Sequence, residues 1–256
     1  MVSPVPKHLT TDADHQAVPA QFREHVVDLR IVGGAVKGLS AHRAKYAPGL
    51  ATALLNLAGT SSVGDPMAGT GTLARETGVN AALNDLDAGM AEFLDPLALV
   101  GCEVTYGPAH EIRWRRDVCI FSPPYYPKAD RRRPCAHDDA KRGPIVGFRD
   151  SYSADHPAFI GNPGGVNAIS QYRTQMTRVY GHMLCVCRRM IVVTKNWTRL
   201  GVEMRLDLDT ILMAQSVGWL PVERHGWVPP QSLWSRFNEQ RGGGVTVEDV
   251  LVFEST

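Results

Sequence analysis

Apolar positions along the chain change period several times. From Pro48 the stretch PGLATALLNLAG sets Leu50, Leu54, Leu55 and Leu57 toward one side of a helix, with proline in its first turn and Gly59 as its stop. Beyond it the period shortens. SSVGDPMAGTGTLARETG reads as a short strand, a Gly-rich turn and a helix, and VNAALNDLD as a second strand ending in acid. AGMAEFLDPLAL reads as a helix, CEVTYG as a third strand and RDVCIFSPPYY as a fourth strand with its turn. Strands alternating with helices predict an α/β fold with a mainly parallel sheet. Residues 1–40 lack sustained periodicity until FREHVVDLRIVGG and are expected to form an N-terminal arm with a short ordered element, leaving 41–256 as the main domain.

Binding sites in such sheets lie beyond the carboxyl ends of the strands, where both unusual turns fall. The first is Asp65-Pro66-Met67-Ala68-Gly69-Thr70-Gly71-Thr72. Gly69 and Gly71 let the backbone pass close to a ligand and accept dihedrals that other residues resist, and the next helix presents N–H groups. The turn lacks the Gly-Lys-Ser/Thr ending of a P-loop, which argues against nucleoside triphosphate binding. Gly69 to Ala74 fits the permissive GxGxxA pattern, and a glycine turn that serves only strand-to-helix packing remains the alternative. Asp85 ends the next strand, where a carboxylate can accept hydrogen bonds from both hydroxyls of a ribose. Asp87 competes for that role, and either acid can instead cap a helix.

The second turn is Ser122-Pro123-Pro124-Tyr125. Prolines fix φ and lack an N–H, so the backbone leaving the strand is stiff and its carbonyls can point outward. Ser122 adds an acceptor oxygen and Tyr125 a flat apolar face. Such a corner can hold a planar group bearing an NH2. The lone pair of an exocyclic amine is delocalised into its ring; acceptors on both N–H bonds favour pyramidal geometry and free that pair for attack. The plain alternative is a proline turn that ends a strand, with a packed tyrosine.

The two turns together carry a family resemblance. DPMAGTGT followed by SPPYY resembles the amino-group DNA methyltransferases, whose cofactor loop is typically Asp-Pro-Phe-x-Gly-x-Gly-Thr and whose catalytic motif is Asp, Asn or Ser before Pro-Pro-Tyr. Upstream, AHRAKYAPGLA is similar to the segment before the cofactor loop in permuted members. Downstream, YRTQMTRVYGHMLCVCRRMIVVTKNW is similar to the helix and strand that follow the catalytic motif, and VGWLPVERH to a late hairpin. Most of residues 40–255 is covered.

The resemblance implies an S-adenosylmethionine-dependent class I methyltransferase with a Rossmann-like fold and a mostly parallel seven-stranded sheet. It places Asp65 near the methionine part of the cofactor, with Pro66, Met67, Ala68, Gly69, Thr70, Gly71 and Thr72 lining it and Asp85 on the ribose. Lys45 and Tyr46 would sit near the methionine end. Ser122 and the Pro123 carbonyl would accept the target amine, Pro124 would stiffen the corner and Tyr125 would stack on the base. Ser122 leans toward cytosine N4 over adenine N6 by family habit. There are two departures. TYGPAHEI offers Pro108 and then His110 or Glu111 where an acid often faces the adenine, and Met67 replaces an aromatic residue.

Composition adds limits. The formal net charge of +1 gives no global reason to expect nucleic acid. Locally, the long polar segment near 127–170 holds Arg131, Arg132, Arg133, Lys141 and Arg142 with Phe148 and Tyr152, and beside a methyltransferase corner it is expected to read the DNA target. Asp130, Asp138 and Asp139 dilute that patch, and a solvated charged loop is the alternative. Cys102, Cys119, Cys135, Cys185 and Cys187 are odd in number and lack CxxC spacing, so neither a disulfide framework nor a metal site is expected; Cys185 and Cys187 read as core. QRGGGVTVEDVLVF reads as a turn into a final strand.

No apolar run of membrane-span length and no signal-peptide pattern is seen, which predicts a cytoplasmic protein. The expected partner is DNA with the target base flipped out, bound by a monomer or homodimer, with a restriction endonuclease as a further candidate partner. Two other functions remain open: methylation of an RNA base or protein amide, and nucleic-acid binding without catalysis.

Overall fold

The computed structural model describes residues 12–23, 48–124, 169–199, 202–227 and 247–256. Its main sheet contains β1 (Val63–Asp65), β2 (Ala82–Asp85), β3 (Glu103–Tyr106), β4 (Val118–Phe121), β5 (Arg189–Thr194), β8 (Trp219–Trp227) and β9 (Glu248–Ser255). The order is β3-β2-β1-β4-β5-β9-β8, all neighbours being parallel except at β9, which runs antiparallel to both β5 and β8. The expected α/β architecture with a mostly parallel seven-stranded sheet is present, with β4 at its centre and β1 beside it. β6 (Trp197–Arg199) and β7 (Val202–Met204) pair separately.

Helices cover both faces. α2 (Pro48–Ala58), α3 (Thr72–Thr77) and α4 (Ala91–Ala98) bring Leu50, Leu54, Leu73, Leu94 and Leu97 to one core. α5 (Ile169–Val186) and α6 (Leu206–Ser216) bring Tyr172, Met176, Tyr180, Met183 and Ile211 to the other. The strands feed both faces by strict alternation. On β4, Val118 and Ile120 face the first core while Cys119 and Phe121 face the second; on β5, Ile191 and Val193 oppose Met190 and Val192. This double burial explains why these strands read as continuous apolar runs. At α2 the helix starts at Pro48 and stops before Gly59, which takes φ +66°, as its pattern predicts.

Three features were not read from the sequence. The helix expected from Ala88 is split into a 3₁₀ turn (Ala88–Met90) and α4, because Asp87 caps the turn by accepting the Gly89 N–H at 2.8 Å. Cys185 is exposed, correcting its expected place in the core, whereas Cys187 is buried. α6 carries Asp207 and Asp209 in its first turn, and both are buried.

Those two acids anchor the N-terminal arm. Its described part holds α1 (Asp12–His15) and a 3₁₀ turn (Ala20–Phe22), and sinks Val18 and Phe22 into the core beside α5 and α6. Asp209 accepts from His15 Nε2 at 3.0 Å and from Arg173 Nη2 at 2.9 Å. Arg224, on β8, bridges Asp249 and Asp207 and donates to the Phe22 carbonyl, while Arg205 binds Asp207 and donates to the Arg23 carbonyl at 2.7 Å. Burial works against ionisation of Asp207, but the bonds and charges of Arg205 and Arg224 outweigh it and hold its carboxyl below the usual range.

Replacing Arg224 by Met would leave Asp207 and Asp249 in a dry environment without their shared cation. Urea unfolding of Arg224→Met should show a loss of about 3 kcal/mol; a loss below about 1 kcal/mol, the range of exposed pairs, would deny the network this role.

Candidate active site

β1, β2 and β4 end at one edge of the sheet because they are parallel neighbours. The segments 65–72, 85–87 and 122–124 therefore leave from the same rim. Asp65 closes β1 and is fully buried, with Oδ1 accepting the Met67 N–H at 3.0 Å. Met67 packs its side chain on the core shared by α5 and α6. The chain then turns through Gly69 (φ +53°) and Gly71 (φ +69°), both in the left-handed region that favours glycine. At Gly71 a Cβ would also lie 2.5 Å from Leu97 Cδ1, so α4 packs directly against this turn. The Gly71 N–H closes the turn on the Ala68 carbonyl at 2.8 Å. Thr70 and Thr72 are buried with their hydroxyls 3.1 Å apart, and Arg75 Nε donates to the Thr70 carbonyl at 2.9 Å. α3 is only six residues long, so this loop offers a ligand its own backbone more than a helix dipole.

Asp85 ends β2 half-buried at the rim. Its Oδ2 accepts the Gly69 N–H at 2.7 Å and its Oδ1 the Asp87 N–H at 2.9 Å. The carboxylate expected to meet a ribose therefore also shapes the glycine turn. Asp87 is used as a cap, which separates the two competing acids. Asn84, absent from the sequence reading, donates from Nδ2 to the carbonyls of Pro66 and Gly107. The signal available was a polar residue inside a strand otherwise buried on both faces.

β4 delivers Ser122 and Pro124 half-buried and Pro123 buried, directly after Phe121, which packs 6.3 Å from the Tyr180 ring between centroids. β5 pairs with β4 through Phe121 and Val192, so Lys195 leaves the sheet on the neighbouring strand. Its ammonium lies 3.4 Å from Glu248, whose carboxyl is raised by burial against the opposing pull of that lysine. After β3, His110 keeps its side chain largely buried; burial lowers its pKa, Arg178 and His182 act in the same direction and Glu111 opposes them. Glu111 itself is exposed. Lys45, Tyr46, Tyr125, Arg131, Arg132, Arg133, Cys135, Lys141, Arg142, Phe148 and Tyr152 lie outside the described residues.

Asp65 is the site's unusual titrating group. Burial, reinforced by the nearby charge of Asp85 and only partly countered by the Met67 N–H, pushes its pKa up to about 8. With its pKa there, the acid is largely protonated at neutral pH, and a cation brought beside it would restore the charge.

No family model and no curated protein matches the sequence. Among solved structures, the chain is similar to a putative RNA methyltransferase from Pyrococcus horikoshii, at 14% identity and a TM-score of 0.46 over 88% of this chain and 93% of that one. It is also similar to a magnesium protoporphyrin IX methyltransferase from Synechocystis, at 9% identity and 0.45 over 82% and 79%. An N-methyltransferase from Bradyrhizobium japonicum gives 9% identity and 0.45 over 80% and 93%. At such identities and scores the likeness says nothing of substrate, and the functional reading rests on the chain's own residues. Among the described residues no helix is long and apolar enough to cross a membrane.

Asp65 binds a proton more tightly folded than unfolded, so the folded state loses stability as pH rises from about 4 to about 8. Asp65→Asn should remove that loss, and its melting temperature relative to the parent should rise steadily between pH 5 and pH 8. An unchanging difference across that range would place the acid in a wetter setting.

Proposed function

We propose that the protein is an S-adenosylmethionine-dependent methyltransferase acting on an exocyclic amine in DNA, cytosine N4 favoured over adenine N6. The observation that carries this reading is the shared rim: a doubly left-handed glycine turn after β1 and a Ser-Pro-Pro corner after β4 leave adjacent parallel strands at one edge. The residues present fit the cofactor. Asp65 is a buried acid suited to an ammonium, Asp85 a rim carboxylate suited to hydroxyls, and Gly69 and Gly71 keep the backbone between them bare of side chains. Bound there, the cofactor supplies a methyl group activated by a positive sulfur.

The chain's own part is to present the amine. The Ser122 hydroxyl and the Pro123 carbonyl accept its two N–H bonds, turning the nitrogen pyramidal so that its lone pair can attack. Pro124 holds the corner rigid, and Tyr125 stacks on a base flipped out of the duplex. No strong base is needed, since the nitrogen becomes acidic once methylated and its proton can leave afterwards. Arg131, Arg132 and Arg133 are assigned to phosphate contacts of the target segment.

Nucleoside mass spectrometry on DNA from a methylation-deficient host tests the reaction. N4-methylcytosine should appear with the intact protein and vanish with Ser122→Ala. N6-methyladenine alone would change the base; no methylated base, with soluble protein present, would overturn the DNA reading and turn attention to RNA, protein amides or binding alone.

Cofactor binding carries a second signature. Near pH 7 an ammonium placed on Asp65 would drive its ionisation, so binding should release up to about one proton and tighten as pH rises toward 8. Titration calorimetry in buffers of different ionisation enthalpy reads that proton; none released, with binding intact, would remove Asp65 from the ammonium.

A further inference from the structure

We propose that Asn84 is a positioning residue that locks the two loops flanking the cofactor crevice into one unit. What the crevice holds rests on the methyltransferase reading; the lock itself rests on geometry. Asn84 is 1% exposed. Its Nδ2 donates to the Pro66 carbonyl at 3.1 Å and to the Gly107 carbonyl at 2.9 Å, and its Oδ1 accepts the Thr105 hydroxyl at 3.0 Å. Its main-chain carbonyl accepts the Ala68 N–H at 2.8 Å. One buried amide thus touches the loop after β1 and the turn after β3, the segments on either side of Asp85.

Asp85 continues the same lock one residue on. Its side chain takes the Gly69 N–H at 2.7 Å, and its main-chain carbonyl takes the Gly107 N–H at 2.9 Å. The amide orientation of Asn84 follows from its partners, because two carbonyl oxygens can be met only by two donors. Aspartate, of the same shape, would set a buried negative charge against both. Alanine would take this donor away from the carbonyls of Pro66 and Gly107, leaving them to accept from water. Neither change touches Ser122 or Pro123. Loss of the lock would therefore let the crevice walls move independently, weakening cofactor capture while leaving methyl transfer at saturating cofactor nearly unchanged.

Asn84→Ala, Asn84→Asp and the core control Val252→Ala test this, with S-adenosylhomocysteine affinity by calorimetry, urea stability, methylation kinetics and amide exchange at Ala68 and Gly107. Asn84→Ala should weaken S-adenosylhomocysteine binding about tenfold and raise KM for S-adenosylmethionine alike, with kcat within about twofold. Asn84→Asp should weaken it more. The Ala68 and Gly107 amides should both exchange faster in the variants, and by similar factors. The proposal is overturned if Val252→Ala, at equal loss of stability, weakens binding as much, or if Asn84→Asp binds like the parent. It is equally overturned if only one of the two amides speeds up. Should the parent bind no S-adenosylhomocysteine at all, the methyltransferase reading fails, and the paired exchange still decides whether Asn84 joins the loops.

Discussion

The parallel pairing of β1 with β4 is the constraint on which the rest of the molecule depends. Val63 and Gly64 of β1 register with Val118 and Cys119 of β4, so two segments some fifty residues apart in sequence run side by side and end at one rim. Parallel neighbours cannot be joined by a tight turn. The chain must cross between them, and the crossings supply helices that bury both faces of the sheet. Closeness of packing enforces the pairing: a Cβ on Gly64 would meet the Trp114 ring at 2.4 Å, so the indole lies on the backbone of β1 itself. The glycine turn and the proline corner become neighbours as a consequence of this core, before any ligand is considered.

Around that centre the molecule uses polar groups in two different ways. At the rim, Asn84 and Asp85 spend their side chains on backbone groups of neighbouring loops, which shapes the loops before a ligand arrives. At the far side of the sheet, Arg224, Arg205 and Arg173 meet Asp207, Asp209 and Asp249 and the carbonyls of Phe22 and Arg23. Charges buried this way add little net stability over an apolar core of the same volume, but they penalise any arrangement that leaves one of them alone. The network therefore specifies where the N-terminal arm docks. Among the described residues the arm adds Val18 and Phe22 to the core as apolar anchors.

Asp65 combines both themes. It is a buried acid close to a second acid, and its carboxylate accepts the Met67 backbone N–H. Burying an acid there works against stability, and an unfavourable local choice of this kind is common at functional sites.

Much of the fold was legible along the chain. Alternation of short apolar runs with helical stretches was enough for β1 to β4 and for α2, because periodicity is a local property of the backbone, and the glycine and proline turns announced themselves by residue type. The unusual chemistry of Asp65, Gly69, Gly71, Asp85 and Ser122 could be nominated for the same reason. α6 escaped notice because Leu206-Asp207-Leu208-Asp209 alternates like a strand; its acids are buried only since arginines from α5 and β8 reach them. Asn84 drew no notice along the chain, because the Pro66 and Gly107 carbonyls that it binds lie 18 and 23 residues away. The division between Asp85 and Asp87 was likewise invisible, since both stand at the end of one strand and only the Gly69 and Gly89 amides distinguish them. Residue type and spacing determine which chemistry the chain can carry. Which groups meet, which carboxylate is dry and which acid shapes the loop are decided by long-range packing, because burial and hydrogen-bond partners exist only once distant segments share a core.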